Sequence, residues 1–408
     1  MKALVIGAGG VGSAIANIAA RRPFITEMVV ADRELIRAEA TVNRLGDNRF
    51  SPAVVDASNV EELCALIRLT NPDVVINAVD PRFVMPIFEA CEIVGTNYLD
   101  MAMSLSKAHP SDPHSKVGVM LGAEQFAHDD SFKSKGIYAL VGIGVEPGLS
   151  DVFARYASDE LFSRIDSAIV YDGSNLVVDG YAFAPTFSIW TTIEECLNPP
   201  LMWDKPRGWY TTEPFSDLET FDFPDGIGPV ECVNVEHEEV TLIPRKIDVG
   251  KVAFKYGLGS QFIGILKTIH TLGLDRTDPV SVQGVKVSPR NLLAALLPDP
   301  ATLGPLMSGK TCAGIQVKGL DKSGNPKAVY LYNVVDNAFS MGEYGDQAVV
   351  WQTAINPLIA LELIDRGDWK PMGVNGPEWF PPQPFLNLLA EYGATWHIRE
   401  ESVEGIAP

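Results

Sequence analysis

Apolar positions in the first 145 residues alternate between two textures. Short unbroken runs of β-branched and aliphatic residues occur at 2–6 (KALVI), 27–32 (EMVVAD), 52–57 (PAVVDA), 73–80 (DVVINAVD) and 96–102 (TNYLDMA). Such runs suit strands buried on both faces. Between them stand stretches with helical spacing: SAIANIAARR at 13–22, NVEELCALIRL at 59–69 and FVMPIFEACEIVG at 83–95. Strands alternating with helices predict an α/β fold, a Rossmann-type doubly wound parallel sheet. A further strand, a Gly/Pro turn and a helix follow in YALVGIGVEPGLSDVFARYA at 138–157.

The texture then changes to longer strands, turns and Trp-rich loops such as PPLMWDKPRGWYTTEPF at 199–215. We therefore divide the chain into a dinucleotide-binding domain at 1–145 and a second, α+β domain at 146–345 for substrate and dimerisation. The helical stretch QAVVWQTAINPLIALELIDRG at 347–367 makes 346–408 a candidate completion of the first domain. The length of 408 residues accommodates two domains of ordinary size.

The first strand runs into Gly7-x-Gly9-x-x-Gly12, with Gly10 and Val11 inside the motif. Gly7 permits the tight turn, Gly9 lets the backbone approach a pyrophosphate, and Gly12 allows close packing of helix on strand. Asp32 ends the second strand, about 20 residues on, where a carboxylate accepts hydrogen bonds from ribose hydroxyls. That favours NAD. Arg33 beside it is suited to a 2′-phosphate, so NADP stays open. Asp56 and Ala57 are placed to border the adenine, and Asn77, Ala78 and Val79 to line the nicotinamide side; each also suits a capping or turn role.

Composition narrows the partners. A formal charge of −20 argues against nucleic-acid and anionic-membrane binding. The cysteines Cys64, Cys91, Cys196, Cys232 and Cys312 are scattered, with no CxxC pair, which points to a reducing, cytoplasmic setting. No apolar run approaches ~18 residues, the chain starts on a strand pattern and not a signal sequence, and no metal motif occurs, so no metal is expected.

The remaining candidates carry acids. Glu146, in Gly144-Val-Glu-Pro-Gly148, sits in a strand-to-helix turn at the carboxyl end of the sheet, where a carboxylate would stabilise an iminium; capping the helix is its alternative role. Pro147 and Gly148 fix the turn. Tyr98 and Asp100, at the end of the fifth strand, are placed to face the same crevice or else to pack and cap. VNVEHEEVTLIP at 233–244 reads as a strand with charges inside it. Alternation puts His237 and Glu239 on one face with Val235, and Glu236 and Glu238 on the other with Val240. An inward pair would be too costly to bury unpaired, and an amine would neutralise it. We take His237 and Glu239 as substrate-facing, with Glu238 as a further candidate. A solvated edge strand, or pairing with Arg245 or Lys246, is the alternative.

These motifs resemble a known family. GAGGVG at 7–12, EPGLSDVFARYA, FAPTFSI, FDFPDGIGP, VEHEEV, LPDPATLGP, GKTCAG, VYLYNVVD, GDQAVVWQT and PFLNLLAEYGATWHIRE occur in order through nearly the whole chain. Together they resemble the saccharopine dehydrogenase-like oxidoreductases, and within them the carboxynorspermidine (carboxyspermidine) dehydrogenase branch. The resemblance implies reduction by NADPH of an imine formed between aspartate β-semialdehyde and a diamine, and a homodimer. Asp32 departs from what an NADPH site would carry. The segment INPLIALELIDRGDW also resembles family members acting as lysine 6-dehydrogenase or saccharopine dehydrogenase, so these oxidations are the alternative activities, with a non-catalytic dinucleotide sensor as a third.

Overall fold

The computed structural model describes residues 1–406. Among these residues the first sheet has seven strands, all parallel. Their order is Gly373–Asn375, β6 (Tyr138–Leu140), β5 (Asn97–Asp100), β4 (Val74–Asn77), β1 (Lys2–Ile6), β2 (Glu27–Asp32) and β3 (Phe50–Val54). Strand order reverses between β1 and β4, so the crevice for a ligand opens at their carboxyl ends. The helix α1 (Gly10–Ala19) starts at that point and buries Ala14, Ile15 and Ile18. A further helix, Leu35–Leu45, fills the β2–β3 crossover and ends on Gly46 at φ +61°.

The second sheet is mixed. Its central strand β7 (Phe162–Ser174) runs parallel to Val249–Gly257 and antiparallel to Lys310–Asp321, which pairs with Pro326–Asp336. The closing segment ties the two sheets together. Its helix Ala348–Arg366 packs on α1, and Gly373–Asn375 adds an edge strand to the first sheet. Trp396–Glu400 then pairs with Pro326–Asp336 in the second.

The turn at 144–148 connects the sheets. Gly144 N–H donates to Pro147 O at 2.7 Å, and Gly148 N–H to the Asp151 carboxylate at 2.9 Å. A Cβ on Gly148 would lie 2.2 Å from Gly144 O, and its φ is +134°, so only glycine fits there.

The stretch 233–244 departs from the strand reading. The strand Gly228–Asn234 ends before the charges, and Glu239–Lys246 is a helix. One physical feature favours the helix, and a second offsets what opposes it. Glu238 and Glu239 stand at its N-terminus, where the macrodipole stabilises negative charge. Pro244 removes one helical N–H, which would have bonded Val240 O; the Trp209 indole N–H donates to that carbonyl instead, at 3.0 Å. Strand alternation therefore does not govern which acids share a face. Trp209→Phe leaves the Val240 carbonyl without its donor. Chemical denaturation should show a loss of about 1–2 kcal/mol, the cost of one unsatisfied buried acceptor; an unchanged midpoint would rule this role out.

Candidate active site

The glycine motif is shaped for a dinucleotide. A Cβ on Gly12 would lie 1.8 Å from Gly7 O, which shows how closely α1 approaches β1. Gly7 has φ +110°, and a Cβ there would meet Ala78 O at 2.6 Å. A Cβ on Gly9 would meet nothing within 4 Å, so its backbone borders open space at the start of α1. These are the features a bound pyrophosphate needs. Asp32 accepts the N–H of Ala8 at 2.9 Å and of Glu34 at 3.0 Å, so it also braces the glycine loop. The Arg33 side chain is 76% exposed, and its charge lowers the pKa of Asp56, after the Ser58 hydrogen bonds that dominate that shift. Asp56 accepts from Ser58 N–H and Oγ and makes a turn before the helix Val60–Thr70; Ala57 lies within it. Asn77 donates to the Tyr98 hydroxyl at 2.9 Å and accepts the Val79 N–H at 3.1 Å.

From this crevice a cavity of about 260 Å³ runs toward the second sheet. Gly10, Val11, Asn77, Ala78 and Val79 line it on the side of the crevice, Glu146 and Pro147 from the turn at 144–148, and Glu195 and Glu238 from the second domain. Among the described residues no lysine, arginine or histidine forms its wall. A smaller hollow shares Glu195 and Glu238 and continues to Glu194 and Glu236. The acids thus continue from one hollow into the other.

Their surroundings set their charge. Glu146 accepts the Ser150 hydroxyl at 2.7 Å and the Gly314 N–H at 3.1 Å on one oxygen. Its other oxygen meets no donor and faces the Asp172 carboxylate. Burial and the Asp172 and Glu239 charges push the Glu146 pKa well up. Asp172 rises to about 7, chiefly through burial. Burial raises Glu195 to about 8 and Glu236 to about 7, the latter despite hydrogen bonds from Asn198 and Ser106. The Glu238 pKa is raised by burial too, and its carboxylate accepts the Met103 N–H at 3.1 Å.

His237 holds this group together. Its ring stacks on Phe254 at 3.8 Å between centroids, and Nδ1 stands 2.5 Å from Glu239 and 3.4 Å from Glu238. Burial alone would lower its pKa, but the adjacent carboxylates raise it to about 10. His237 is therefore a buried imidazolium behind the wall, and Glu238 stands in the wall itself. Ligand atoms of His237, Glu238 and Glu239 lie within 4.8 Å of one another, spacing that the hydrogen-bonded imidazolium accounts for.

Tyr98 and Asp100 sit behind the crevice and not in it. Tyr98 is fully buried against Phe88, with ring centroids 5.2 Å apart. Asp100 accepts the Gly142 N–H and the Gln125 amide, each at 2.7 Å, and burial raises its pKa to about 7. Both brace the β5 and β6 ends that carry the crevice. Asp172 and Glu195 went unnoticed in the sequence. Asp172 follows Ala168 and Val170 on the inward face of β7, and an acid in that register was the available signal.

Two family models cover the chain. The saccharopine dehydrogenase NADP-binding domain matches residues 3–140, and the saccharopine dehydrogenase C-terminal domain matches 144–394. The chain belongs to the saccharopine dehydrogenase family. Among its relatives in that family is a carboxyaminopropylagmatine dehydrogenase of Synechocystis, 31% identical over 100% of this chain and 99% of that protein. A carboxynorspermidine synthase of Vibrio cholerae is also 31% identical, covering 98% of this chain and 97% of its own. A solved saccharopine dehydrogenase from Saccharomyces cerevisiae shares the fold, with TM-score 0.70 at 14% identity over 98% of this chain and all of that one. As a member of the saccharopine dehydrogenase family, the chain is an oxidoreductase that uses NAD or NADP. No helix among the described residues is long and apolar enough to cross a membrane.

Gly9→Ala separates fold from cofactor binding. The new methyl enters open space with φ −76°, so the thermal midpoint should stay put while the Kd for NADH and NADPH rises at least about tenfold. Unchanged dinucleotide binding would show that the pyrophosphate lies elsewhere.

Proposed function

We propose that the protein joins an amine to an amino-acid aldehyde of the aspartate-semialdehyde type and reduces the imine to a carboxylated polyamine or its guanidino counterpart. The observation that carries this reading is the cavity wall: Glu146, Glu195 and Glu238 stand in it with no cation among them. A substrate with two or more positive groups neutralises these acids; saccharopine, with three carboxylates, would find no cation in this wall to pair with them.

The bound nicotinamide supplies the hydride, and the protein aligns and protonates. Asn77, Ala78, Val79 and Pro147, which line the cavity at the crevice, would hold the nicotinamide end of the cofactor. Glu146, kept neutral by its burial and by the Asp172 charge beside it, holds a proton next to the place where the imine nitrogen would form. Glu195 and Glu238 hold the remote ammonium or guanidinium, with Glu236 at the end of the row. His237 and Glu239 act from behind, fixing Glu238 in position. Ser188, Thr191 and Thr353 give the wall its neutral polar part, suited to the carboxylate end of the aldehyde. Arg33, exposed beside Asp32, is the residue placed to meet a 2′-phosphate. Pairing of two copies through the second sheet is our reading of the assembly.

Mixing aspartate semialdehyde, NADH or NADPH and an amine should oxidise the cofactor faster than aldehyde alone, with agmatine, a diaminopropane or a diaminobutane as the amine. No acceleration by any of them would overturn the reading. Oxidation of lysine or saccharopine by NAD or NADP under the same conditions would establish the reverse chemistry instead.

The raised acids also fix the pH dependence. Their folded pKa values lie above the unfolded ones, so the stability they contribute is complete below about pH 4–5 and is lost as pH rises through about 7 and 8. His237, raised to about 10, shifts stability in the same direction. A cationic amine takes over the role of the lost protons. Agmatine or a diamine should thus raise the thermal midpoint more at pH 8.5 than at pH 6, and calorimetry in buffers of different ionisation enthalpy should show proton release on binding. A larger shift at pH 6 would place the amine away from these acids.

A further inference from the structure

Two acids beyond the cavity, Asp151 and Glu378, have no part in the chemistry described so far, and a third, Glu239, has only its positioning contact with His237. Asp151, Glu239 and Glu378 are each 0% exposed. They come from three elements that pack on one another: the helix Leu149–Tyr156, the helix Glu239–Lys246 and the short turn Pro377–Trp379. Each has oxygen atoms without a partner. Glu239 Oε1 and Asp151 Oδ1 meet no donor, and neither oxygen of Glu378 accepts a hydrogen bond from another residue. Buried polar atoms are nearly always satisfied, so a row of unsatisfied carboxyl oxygens in one region needs a reason.

The row has two distinct ends. At one end Glu239 hydrogen-bonds His237 Nδ1, which also faces Glu238 in the cavity wall. At the other, Glu378 neighbours a surface hollow lined by Arg245, Asn375 and Trp379. Asp151 lies between, sensing the charges of both Glu239 and Glu378. The groups facing the row are mixed. Glu239 meets His237, Glu238, Glu146, Asp172 and Glu195; Glu378 meets Arg245, Arg155 and Lys246. Burial holds Asp151 well above the ordinary carboxyl range and Glu378 at about 8. Both can therefore carry a proton near neutral pH.

The proposed reaction consumes a proton. An aldehyde and an ammonium give a protonated imine and water; hydride adds to carbon and gives a neutral secondary amine. That amine takes one proton to leave as an ammonium, while the nicotinamide leaves oxidised. With cofactor and substrate filling the cavity, the proton has to reach it by another path. We propose that Glu378, Asp151 and Glu239 form a buried carboxyl relay that passes this proton from the surface hollow to His237 and the cavity wall. The relay rests on the imine-reduction reading above.

The test uses the full chain with Glu378→Gln and Asp151→Asn, which keep shape and remove the titrating proton. Both should lower kcat about tenfold above pH 7.5, enlarge the solvent deuterium isotope effect, and leave the KM for amine and for cofactor unchanged. Glu378→Asp should recover most of kcat. A kcat–pH profile that superimposes on the wild type in an active enzyme overturns the relay and leaves the reaction intact; a wild type inactive with every amine overturns the reaction. The infrared spectrum gives a second reading, independent of turnover. A protonated-carboxyl band should persist at pH 6 in Glu195→Gln and weaken in Asp151→Asn. Its absence from the wild type at pH 6 overturns the relay even if a relay variant fails to fold.

Discussion

Removing a carboxylate from water costs more than most single contacts return, and this chain crowds Glu146, Asp172, Glu195, Glu236, Glu238 and Glu239 around the His237 imidazole. The fold meets that cost in two ways. His237, pressed flat on Phe254, supplies a positive charge that cannot swing away. Burial raises the pKa of Glu146, Asp172, Glu195 and Glu236 above the usual carboxyl range, so these four hold their protons to higher pH. A site in this state is stable while protonated and attractive to cations once ionised. Binding and stability thus draw on the same protons, and a cationic ligand is what lets the region ionise without loss.

The arrangement needs both sheets. Glu146 arrives from the loop after β6, Asp172 from β7 and Glu195 from the helix Ile189–Leu197, while Glu238 arrives just past the strand Gly228–Asn234. The three glutamates of the main cavity wall, Glu146, Glu195 and Glu238, come from three separate elements, so their spacing depends on how the sheets are joined. The turn at 144–148 and the closing segment make that joint, the first through the Glu146 carboxylate, which accepts the Gly314 N–H of the second sheet, and the second by adding a strand to each sheet. A cavity placed at this joint lets the dinucleotide end be shaped by one sheet and the amine end by the other.

The cofactor half was legible because its requirements are local. Gly7, Gly9 and Gly12 are close in sequence; Gly7 and Gly12 answer to backbone distances that a side chain would violate, and Gly9 leaves open space where a pyrophosphate would approach. The amine half was not, because its requirement is a charge environment assembled from distant segments. In VEHEEV the acids were visible, but their β-branched flanks suggested a strand. The helix that forms there tolerates Pro244 only because Trp209, 35 positions away in the fold's other direction of the chain, supplies a donor to Val240 O. Tyr98 and Asp100 failed as crevice residues for a related reason: strand position fixes which end of the sheet they occupy, but Gln125, Gly142 and Phe88 decide that they face inward.

On the proposed reading, charge more than shape lets this wall take either an ammonium or a guanidinium. Either cation satisfies a carboxylate; a guanidinium adds planar, paired donors, which one flexible glutamate or two neighbouring ones accept equally well. Glu195 and Glu238 stand together in the wall of both hollows, so a cation placed between them is shared whichever form it takes. Beyond them Glu236 is already held by Asn198 and Ser106, so its orientation is fixed before any ligand arrives. On the proposed reading, chain length is read as the distance from an imine nitrogen at Glu146 to this prearranged acid, and the nature of the cation matters less than its reach. The formal charge of −20 acts in the same direction at longer range, drawing polycations toward the molecule before the wall selects among them.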